Sequence, residues 1–459
     1  MAVLSSVGNL LEAPSTRNVD EDLATRLLAS IEVNRLVILS GAGLSMSPPS
    51  LVPSANALAN QVSDEYQRVT GSGNLTPVRN DIEAIARYFL ARMEIVPVLI
   101  RRLISWTPFR GRFNDGHAAI ADFLGARIAE CAVTTNIDEL TEIAARELGE
   151  SDFRSALNGQ EASQGGQAHA PYLKVHGCVK RDMDNTLWCH EQLGGGTIAT
   201  RVADSRAWLM GNLRQRDLVV VGFWSDWSYL NEVLENCLSP EAPNAVILVD
   251  PASAATLSQK APLLWAWAHR GWFQHVQEDG KGFLAELRRR FSLNFFRRLI
   301  EQAAGTYQGL RGTLYTGPVN FHASAVTDDL FAIRRDVEGV PAGAMPRAKR
   351  PDPTMNLVAA TWMLLIEDGA ALTGACFQLA AQRIRVVRGA GDVLSLVKKK
   401  FEREEGTPEP IDIVIAAGAE EDGNAPSDLV RDAEPATIAR PRVAGRWMTL
   451  REARGFLGL

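Results

Sequence analysis

The sequence predicts an α/β protein, in which a doubly wound, Rossmann-like parallel sheet is followed by a smaller C-terminal α/β domain. Short β-branched runs end in Gly, Asn, Asp or Pro in "RLVILSGAG", "AECAVTTNIDEL", "PYLKVHG", "DLVVVGF" and "NAVILVDP". Their hydrophobicity is continuous rather than alternating, as is typical of strands that are buried on both faces of a parallel sheet. Helical stretches separate these runs, and this alternation of strands and helices is the pattern of a doubly wound fold.

Composition sets limits on what the protein can be. Hydrophobic residues make up 46% of the 459 residues and charged residues 22%, which is enough apolar sequence for a large core. The net charge of -6 argues against direct coating of nucleic acid by bulk electrostatics. No run of about 20 apolar residues and no secretory signal pattern is found, and the five cysteines form no CxxC pair. We therefore expect a cytoplasmic protein with reduced thiols and no membrane association.

Three regions follow from changes in the pattern along the chain. The strand and helix alternation predicts a catalytic domain over residues 20–290. After it, residues 291–354 read as a helical connector that ends in the Pro- and Gly-rich linker "VEGVPAGAMPRAKRPDPTM". The pattern of residues 355–459 predicts one βαβ unit, and we expect this region to control assembly or regulation.

The clearest helical signal lies in "NDIEAIARYFLARM". Asn80 and Glu83 have the spacing of a capping box, in which each side chain bonds the other residue's backbone N–H. Apolar residues recur at the positions that share one face of a helix. The sequence therefore predicts an amphipathic helix that begins at Asn80.

The turn after the first strand has an unusual sequence, "LVILSGAGLSMSPPSLVPSA". Gly41 and Gly43 allow a tight turn and a close approach of the backbone N–H groups to a ligand, as in phosphate-binding βα turns. The same pattern also occurs in ordinary βα connections, and the full GxGxxG fingerprint is missing. From Ser45 to Ser54, hydroxyl groups and three prolines replace the expected helix. This segment is predicted to be a loop that folds over a ligand.

Polar side chains stand at the ends of two further strands. Asn136 and Asp138 follow the run in "VTTNIDEL", and His176 follows the run in "KVHG". Each residue alone also fits a structural role, since Asn and Asp cap helices and a single His is often a satisfied core residue. Because parallel strands place their carboxyl ends at one edge of the sheet, we expect the three side chains to share a crevice there.

Taken in order, these segments resemble the sirtuin family, whose hallmarks correspond here to "GAGLS", "TTNID", "VHG", "VGFWSD" and "VILVD". The resemblance covers most of residues 20–290 and implies a sirtuin-like domain that binds NAD. It places the first glycine turn near the phosphates, Asn136 and Asp138 near the nicotinamide riboside, His176 as the base and Asp250 at the adenosine ribose. The implied NAD-binding residues are Gly41, Ala42, Gly43, Ser45, Thr135, Gly222, Ser225 and Asp250.

The chain also departs from the sirtuin deacylases. Their zinc module needs two cysteine pairs after the catalytic His-Gly, whereas this region offers only Cys178, Cys189 and His190. The family's Phe-Gly-Glu segment, which pairs with the acyl-lysine peptide, is replaced by "NTLWCHEQLGGG", and its Asp-Phe-Arg segment is replaced by "PPSLVPSANAL". We therefore expect an NAD site without a metal and without peptide recognition.

This combination looks like the sirtuin-fold NADases of prokaryotic antiviral defence. The resemblance implies hydrolysis of the nicotinamide–ribose bond by a regulated effector that depletes cellular NAD, with Asn136, His176 and Asp138 as catalytic residues. It also implies a homo-oligomer, or a partner such as a HerA-type ATPase or a short Argonaute. Two alternatives stay open, namely an NAD-dependent protein deacylase or ADP-ribosyltransferase, and a non-catalytic NAD-binding subunit of a defence complex.

Overall fold

A computed structural model of the chain describes residues 21–164, 167–223, 228–237, 245–268, 272–401, 411–422 and 445–459. It divides into two compact units. The first contains the described residues up to Glu147 together with Ser151–Leu287, and the second contains Leu148–Glu150 and Arg288–Leu459. Within the described residues, no helix combines the length and the apolar character needed to cross a lipid bilayer.

The first unit is built on a parallel sheet of six strands in the order β3-β2-β1-β4-β5-β6. This is the doubly wound, Rossmann-like sheet that the sequence predicts, and the fold class is confirmed. The strands are β1 (Leu36–Ser40), β2 (Cys131–Thr134), β3 (Tyr172–Lys174), β4 (Asp217–Val221), β5 (Ala245–Val249) and β6 (Trp272–Val276).

Helices cover both faces of this sheet and fill the connections between its strands. They are α1 (Glu21–Glu32), α2 (Ala42–Met46), α3 (Ala55–Thr70), α4 (Ile82–Leu90), α5 (Asp115–Gly125), α6 (Leu140–Glu147), α7 (Gly159–Ser163), α8 (Gly196–Leu213), α9 (Ser228–Cys237), α10 (Ala254–Lys260), α11 (Pro262–Ala268) and the start of α12 (Gly280–Arg311). A π-helix (Ile95–Leu103) and short 3-10 helices, including His190–Gly194, complete the unit.

The central strands are apolar because they are covered on both faces. Every residue of β1, β4 and β5 is buried, which accounts for the uninterrupted β-branched runs in the sequence. The chain proceeds from β1 towards β3 on one side and from β4 towards β6 on the other. The strand order thus reverses between β1 and β4, and in such sheets the ligand crevice lies outside the carboxyl ends of the strands at this point.

Two local predictions need correction. Helix α4 is capped by Asp81, whose side chain accepts from the Ala84 N–H at 3.0 Å, so the predicted capping box at Asn80 and Glu83 does not form. Asn80 instead accepts a hydrogen bond from the side chain of Asn60. The glycine turn after β1 is also followed by one helical turn, α2, before the chain becomes irregular and then enters α3.

The second unit has its own sheet in the order β11-β10-β9-β8-β7. Its strands β9, β10 and β11 are parallel, while β7 and β8 form an antiparallel meander with β9. The elements are α13 (Thr327–Glu338), α14 (Asn356–Glu367), β7 (Ala371–Thr373), β8 (Cys376–Leu379), β9 (Gln382–Arg388), α15 (Leu394–Phe401), β10 (Ile413–Ala417), β11 (Arg446–Thr449) and α16 (Leu450–Leu457).

One hydrophobic cluster joins the sheet of the second unit to the helices that precede it. Phe296 of α12, Leu330 of α13 and Trp362 of α14 all lie in this cluster, as do Ile384 and Ile415 of the sheet. Residues 291–354, which the sequence suggests as a connector, therefore contribute helices to the same core as residues 355–459.

Candidate functional site

The candidate site lies at the carboxyl edge of the first unit's sheet. In the register of β2 and β3, Thr134 is paired with Lys174, and the Val175 N–H donates to the Thr134 carbonyl at 3.1 Å. Asn136 and His176 each follow the paired residue by two positions, so the two loops run side by side. The structure thus brings together the strand ends that the sequence predicts to share a crevice.

The glycine turn after β1 packs directly on the loop after β4. The Gly41 N–H donates to the Val221 carbonyl and the Gly43 N–H donates to the Gly222 carbonyl, both at 3.0 Å. A Cβ on Gly43 would lie 2.7 Å from the Gly222 Cα, and Gly222 itself has a φ of +52°. The glycines are therefore required for contact between two loops, and their N–H groups are already used. Ala42 begins α2 and is exposed, so its N–H remains to face a ligand.

Ser45 is the centre of a buried hydrogen-bond network. Its Oγ donates to Asp138 Oδ2 at 2.8 Å, accepts from Asn136 Nδ2 at 2.9 Å and lies 3.1 Å from His117 Nε2. Ser45, Asp138 and His117 are each less than 5% exposed. A hydroxyl group can donate one hydrogen bond and accept two, so this arrangement uses all the capacity of Ser45. The network fixes three predicted site residues relative to one another.

His117 contributes the donor that completes this network. Its Nδ1 accepts from the Asn114 N–H at 3.2 Å, which assigns the proton of the neutral ring to Nε2 and makes Nε2 the donor to Ser45. Burial is the main cause that lowers the pKa of His117 to about 4, although Asp138 opposes it. The ring is therefore neutral at pH 7. Asn114 also donates from Nδ2 to the Leu44 carbonyl at 2.8 Å and braces the glycine turn.

Asn136 presents one specific group to a ligand. Its Nδ2 donates to the Gly41 carbonyl at 3.0 Å and to Ser45 Oγ at 2.9 Å, so both amide hydrogens are used. Its backbone N–H is held by Thr134 Oγ1. The side chain is half-buried, and Oδ1 is the acceptor that it can offer to a hydroxyl group or a water molecule.

Asp138 is held on both carboxylate oxygens. Oδ1 accepts from the Leu140 N–H at 3.1 Å, and Oδ2 accepts from Ser45. With only 4% of the residue exposed, its observed task is to position Ser45. Its predicted contact with nicotinamide stays a prediction.

His176 is buried at the end of β3 and is held in its neutral form. Burial, followed by the charges of Arg201 and His190, lowers its pKa to about 3. Its carbonyl accepts from the Leu187 N–H at 2.9 Å, and its ring centroid lies 6.4 Å from that of Tyr229. The neutral ring can accept a proton, but a pKa this low makes it a weak base.

The next residue, Gly177, makes room for the guanidinium group of Arg201. Gly177 has a φ of +92°, and a Cβ there would lie 3.2 Å from Arg201 Nη1. Arg201 is only 5% exposed and pairs with Asp182 at 3.3 Å. Burial lowers the pKa of Arg201, but the group stays charged at neutral pH because an arginine side chain ionises only at very high pH. Glycine is therefore favoured after His176, because the positive φ strains other residues and a Cβ would press on the guanidinium group of Arg201.

The remaining predicted residues lie around this edge of the sheet. Asp250 directly follows β5, where its Oδ1 accepts from the Ala252 N–H at 2.8 Å. The Thr135 N–H donates to the Ser40 carbonyl at 3.3 Å. Ser225 lies outside the described residues. Their predicted roles in NAD binding stay predictions.

In the region that would carry a zinc module, the two cysteines and His190 make separate contacts. Cys178 Sγ lies 3.7 Å from Lys174 Nζ, while Cys189 is the N-cap of the 3-10 helix His190–Gly194 and contacts Gln192. His190 Nδ1 pairs with Glu83 at 2.6 Å instead of facing the cysteines. In the described part of the chain, no cluster of three or more His, Cys, Asp or Glu side chains is arranged to hold a metal ion. These residues do not fit tetrahedral zinc.

His117 and Arg201 are site residues that the sequence did not indicate. Both lie on helices, α5 and α8, that reach the edge of the sheet from distant parts of the chain. The only local signal is that Asn114 and His117 have the spacing of a capping box, which the structure confirms.

No protein-family model matches the sequence, and no curated protein matches it. Among solved structures, a Sir2 homologue in complex with NAD is 16% identical, with a TM-score of 0.32, and the match covers 61% of this chain and 99% of that chain. A mutant Sir2 homologue in complex with 2′-O-acetyl ADP-ribose is also 16% identical, with a TM-score of 0.32 and coverage of 59% and 95%. A mutant Sir2 homologue in complex with ADP-ribose gives 16% identity, a TM-score of 0.30 and coverage of 59% and 96%.

Proposed function

We propose that the protein is an NAD⁺ hydrolase that cleaves the nicotinamide–ribose bond and releases nicotinamide and ADP-ribose. The observation that carries this proposal is the buried network of Ser45, His117, Asp138 and Asn136 beside the His176 loop. It combines a fixed acceptor, Asn136 Oδ1, with a neutral imidazole at the carboxyl edge of a doubly wound sheet, the edge at which such sheets bind dinucleotides.

The reaction needs little covalent participation by the protein. Nicotinamide in NAD⁺ is a cationic leaving group, and it departs with the electron pair of the C–N bond. A water molecule forms the new bond to the ribose carbon, and its proton passes to His176 and then to solvent. The task of the site is to orient water and ribose in one geometry, which accounts for a large share of the barrier in such reactions.

Asn136 and His176 divide this task. Asn136 Oδ1 is the acceptor that orients a ribose hydroxyl group or the attacking water. Burial and Arg201 keep His176 unprotonated at neutral pH, and because this also makes the ring a weak base, it holds the proton from water only transiently before solvent takes it. Ser45 and Asp138 hold Asn136 in place through the network described above.

Hydrolysis is favoured over deacylation by the segment that replaces the peptide-pairing region of deacylases. There the chain forms the 3-10 helix His190–Gly194, and the Trp188 and Cys189 N–H groups are both bound by Gln192 Oε1 at 2.7 and 3.0 Å. Two backbone donors that could pair with an extended peptide are thereby used within the chain. Arg87 of α4 also pairs with Glu191 at 2.5 Å and ties this helix to its neighbour.

The biological role that fits such an enzyme is that of a regulated antiviral effector, because unregulated depletion of NAD would harm the cell that makes it. The second unit, with its own core, is the candidate for assembly into a homo-oligomer or for docking a HerA-type ATPase or a short Argonaute. Co-purification of the full-length chain with the product of a neighbouring gene tests this role. A protein that stays monomeric and binds no such product would contradict it.

The experiment that tests the enzymatic proposal is incubation of the full-length protein with NAD, with and without candidate activators and with and without an acetyl-lysine peptide. We expect nicotinamide and ADP-ribose in equal amounts, whether or not peptide is present. O-acetyl-ADP-ribose that forms only with peptide would identify a deacylase. NAD binding without any turnover would identify a non-catalytic subunit.

A further inference from the structure

Lys174, the last residue of β3, carries a buried charge next to the candidate site. Its side chain is 0% exposed. Transfer of an ammonium group out of water is costly unless the charge is paired and its hydrogen-bond donors are all used. A fully buried lysine at the end of an edge strand therefore calls for a specific reason.

The surroundings of Lys174 use each of its three donors. Nζ donates to the Asp138 carbonyl, lies 2.7 Å from Glu142 Oε1 and lies 3.7 Å from Cys178 Sγ. Although burial opposes the charged form, Glu142, Cys178, Tyr172 and Asp138 together raise the pKa of Lys174 above its ordinary value. Lys174 is thus a fully coordinated ammonium ion at neutral pH.

These three contacts lie on three different segments of the site. Asp138 ends the loop that carries Asn136, Cys178 is two residues beyond His176, and Glu142 lies in the first turn of α6. The backbone joins the same two loops at one further point, where the Val179 N–H donates to the Ile137 carbonyl at 2.8 Å. One ammonium group therefore connects the loop of Asn136 to the loop of His176.

We propose that Lys174 is a positioning residue, which holds the Asn136 loop and the His176 loop in register through the Asp138 carbonyl and the Cys178 thiol. Its effect on catalysis rests on the proposed hydrolysis of NAD, whereas its effect on the two loops does not. Lys174 contacts none of the predicted NAD-binding residues, and it acts through the Asp138 carbonyl and the side chains of Glu142 and Cys178.

The variant must remove both charges of the buried pair. Lys174→Met alone would leave the Glu142 carboxylate buried without a counterion, and Glu142 Oε2 already lacks a hydrogen-bond partner among the described residues. The double variant Lys174→Met/Glu142→Met replaces the pair with apolar side chains of similar length, a change that proteins often tolerate. The matched control is Arg385→Met/Asp336→Leu, which removes a buried ion pair of 2.6 Å in the second unit.

The primary readout is hydrogen exchange of the ligand-free protein. In the double variant we expect the Val179 amide and its neighbours to exchange about tenfold faster, because the contact between the loops opens more often. Amides of β4 and β5 should keep their protection in this variant, and the control variant should leave Val179 unchanged. Unchanged protection at Val179, or an equal loss throughout the first unit, would overturn the proposal.

The second readout separates positioning from binding. Nicotinamide release should fall about 100-fold in kcat, since a displacement of about 1 Å can have that effect. The Kd for ADP-ribose, measured by calorimetry, should stay within about twofold, because all of its predicted binding residues except Thr135 lie on the loops after β1, β4 and β5. An unchanged kcat in the double variant would overturn the proposal. If the parent protein shows no hydrolysis, the proposed function fails, and the exchange at Val179 still decides the role of Lys174.

Discussion

Gly43→Ala tests the structural basis of the candidate site. The added Cβ would lie 2.7 Å from the Gly222 Cα and 3.1 Å from the Gly222 carbonyl oxygen. Non-bonded carbon atoms prefer a separation of about 3.5–4.0 Å, so the two loops must move apart by about 1 Å. Both contacts are to backbone atoms, and no side chain can rotate to relieve them.

The expected cost follows from these contacts. Overpacking of this kind costs about 1–3 kcal/mol, and loss of the Gly43 N–H bond to the Gly222 carbonyl adds about 1 kcal/mol. The free energy of unfolding of the first unit should therefore fall by about 2–4 kcal/mol. Because Ser45 follows the same turn, its network should shift as well, and the rate of NAD cleavage should fall about 100-fold.

Differential scanning calorimetry and a nicotinamide-release assay measure the two effects. The matched control is Gly211→Ala in α8, where the added Cβ would meet no atom within 4 Å. A helical Gly→Ala change in open space should raise stability by about 0.5–1 kcal/mol and leave the rate unchanged. A Gly43→Ala protein with the melting temperature and the rate of the parent would refute the reasoning.

Three further predictions concern charge, network and metal. His117→Phe removes the donor to Ser45, so it should lower the free energy of unfolding by about 1–3 kcal/mol and also lower the rate of NAD cleavage. Calorimetry and nicotinamide release measure the two effects, and an unchanged cleavage rate would contradict the prediction. Burial lowers the pKa values of His117, His176 and His322 to between about 3 and about 4. Below about pH 6.5 the unfolded chain therefore binds more protons than the folded chain, and the free energy of unfolding decreases as the pH is lowered. Between pH 7 and pH 5 each of these histidines should lower the free energy of unfolding by about 2 kcal/mol. The melting temperature of His322→Phe should therefore depend less on pH than that of the parent protein. Metal analysis of the purified protein should find no stoichiometric zinc, and one zinc per chain would contradict the assignment of the Cys178 and Cys189 region.

The sequence predicted the sheet because burial on both faces leaves a direct pattern of continuous β-branched runs. It also predicted that Asn136 and His176 lie at the same carboxyl edge of the sheet, because the alternation of strands and helices implies parallel strands. The start of α4 was predicted one residue too early, because both Asn80 and Asp81 are good caps and only the Asn60 contact decides between them.

The sequence could not predict how the loops pack. Gly41 and Gly43 were expected to present N–H groups to a ligand, but those groups bind the loop after β4, a contact between residues about 180 positions apart. The same limit applies to His117 and Lys174. Their roles depend on tertiary contacts across the unit. His117 lies in a helix, and Lys174, although it ends β3, has no sequence signal for the buried pair that it forms with Glu142.

The most direct test of the central claim is the rate of nicotinamide release by the parent protein and by Asn136→Ala and His176→Ala, followed by NMR under activating conditions. The account predicts that the parent cleaves NAD, that each substitution abolishes cleavage, and that the melting temperature of each variant stays within a few degrees of the parent's. Cleavage that persists in both variants would contradict the assignment of the site.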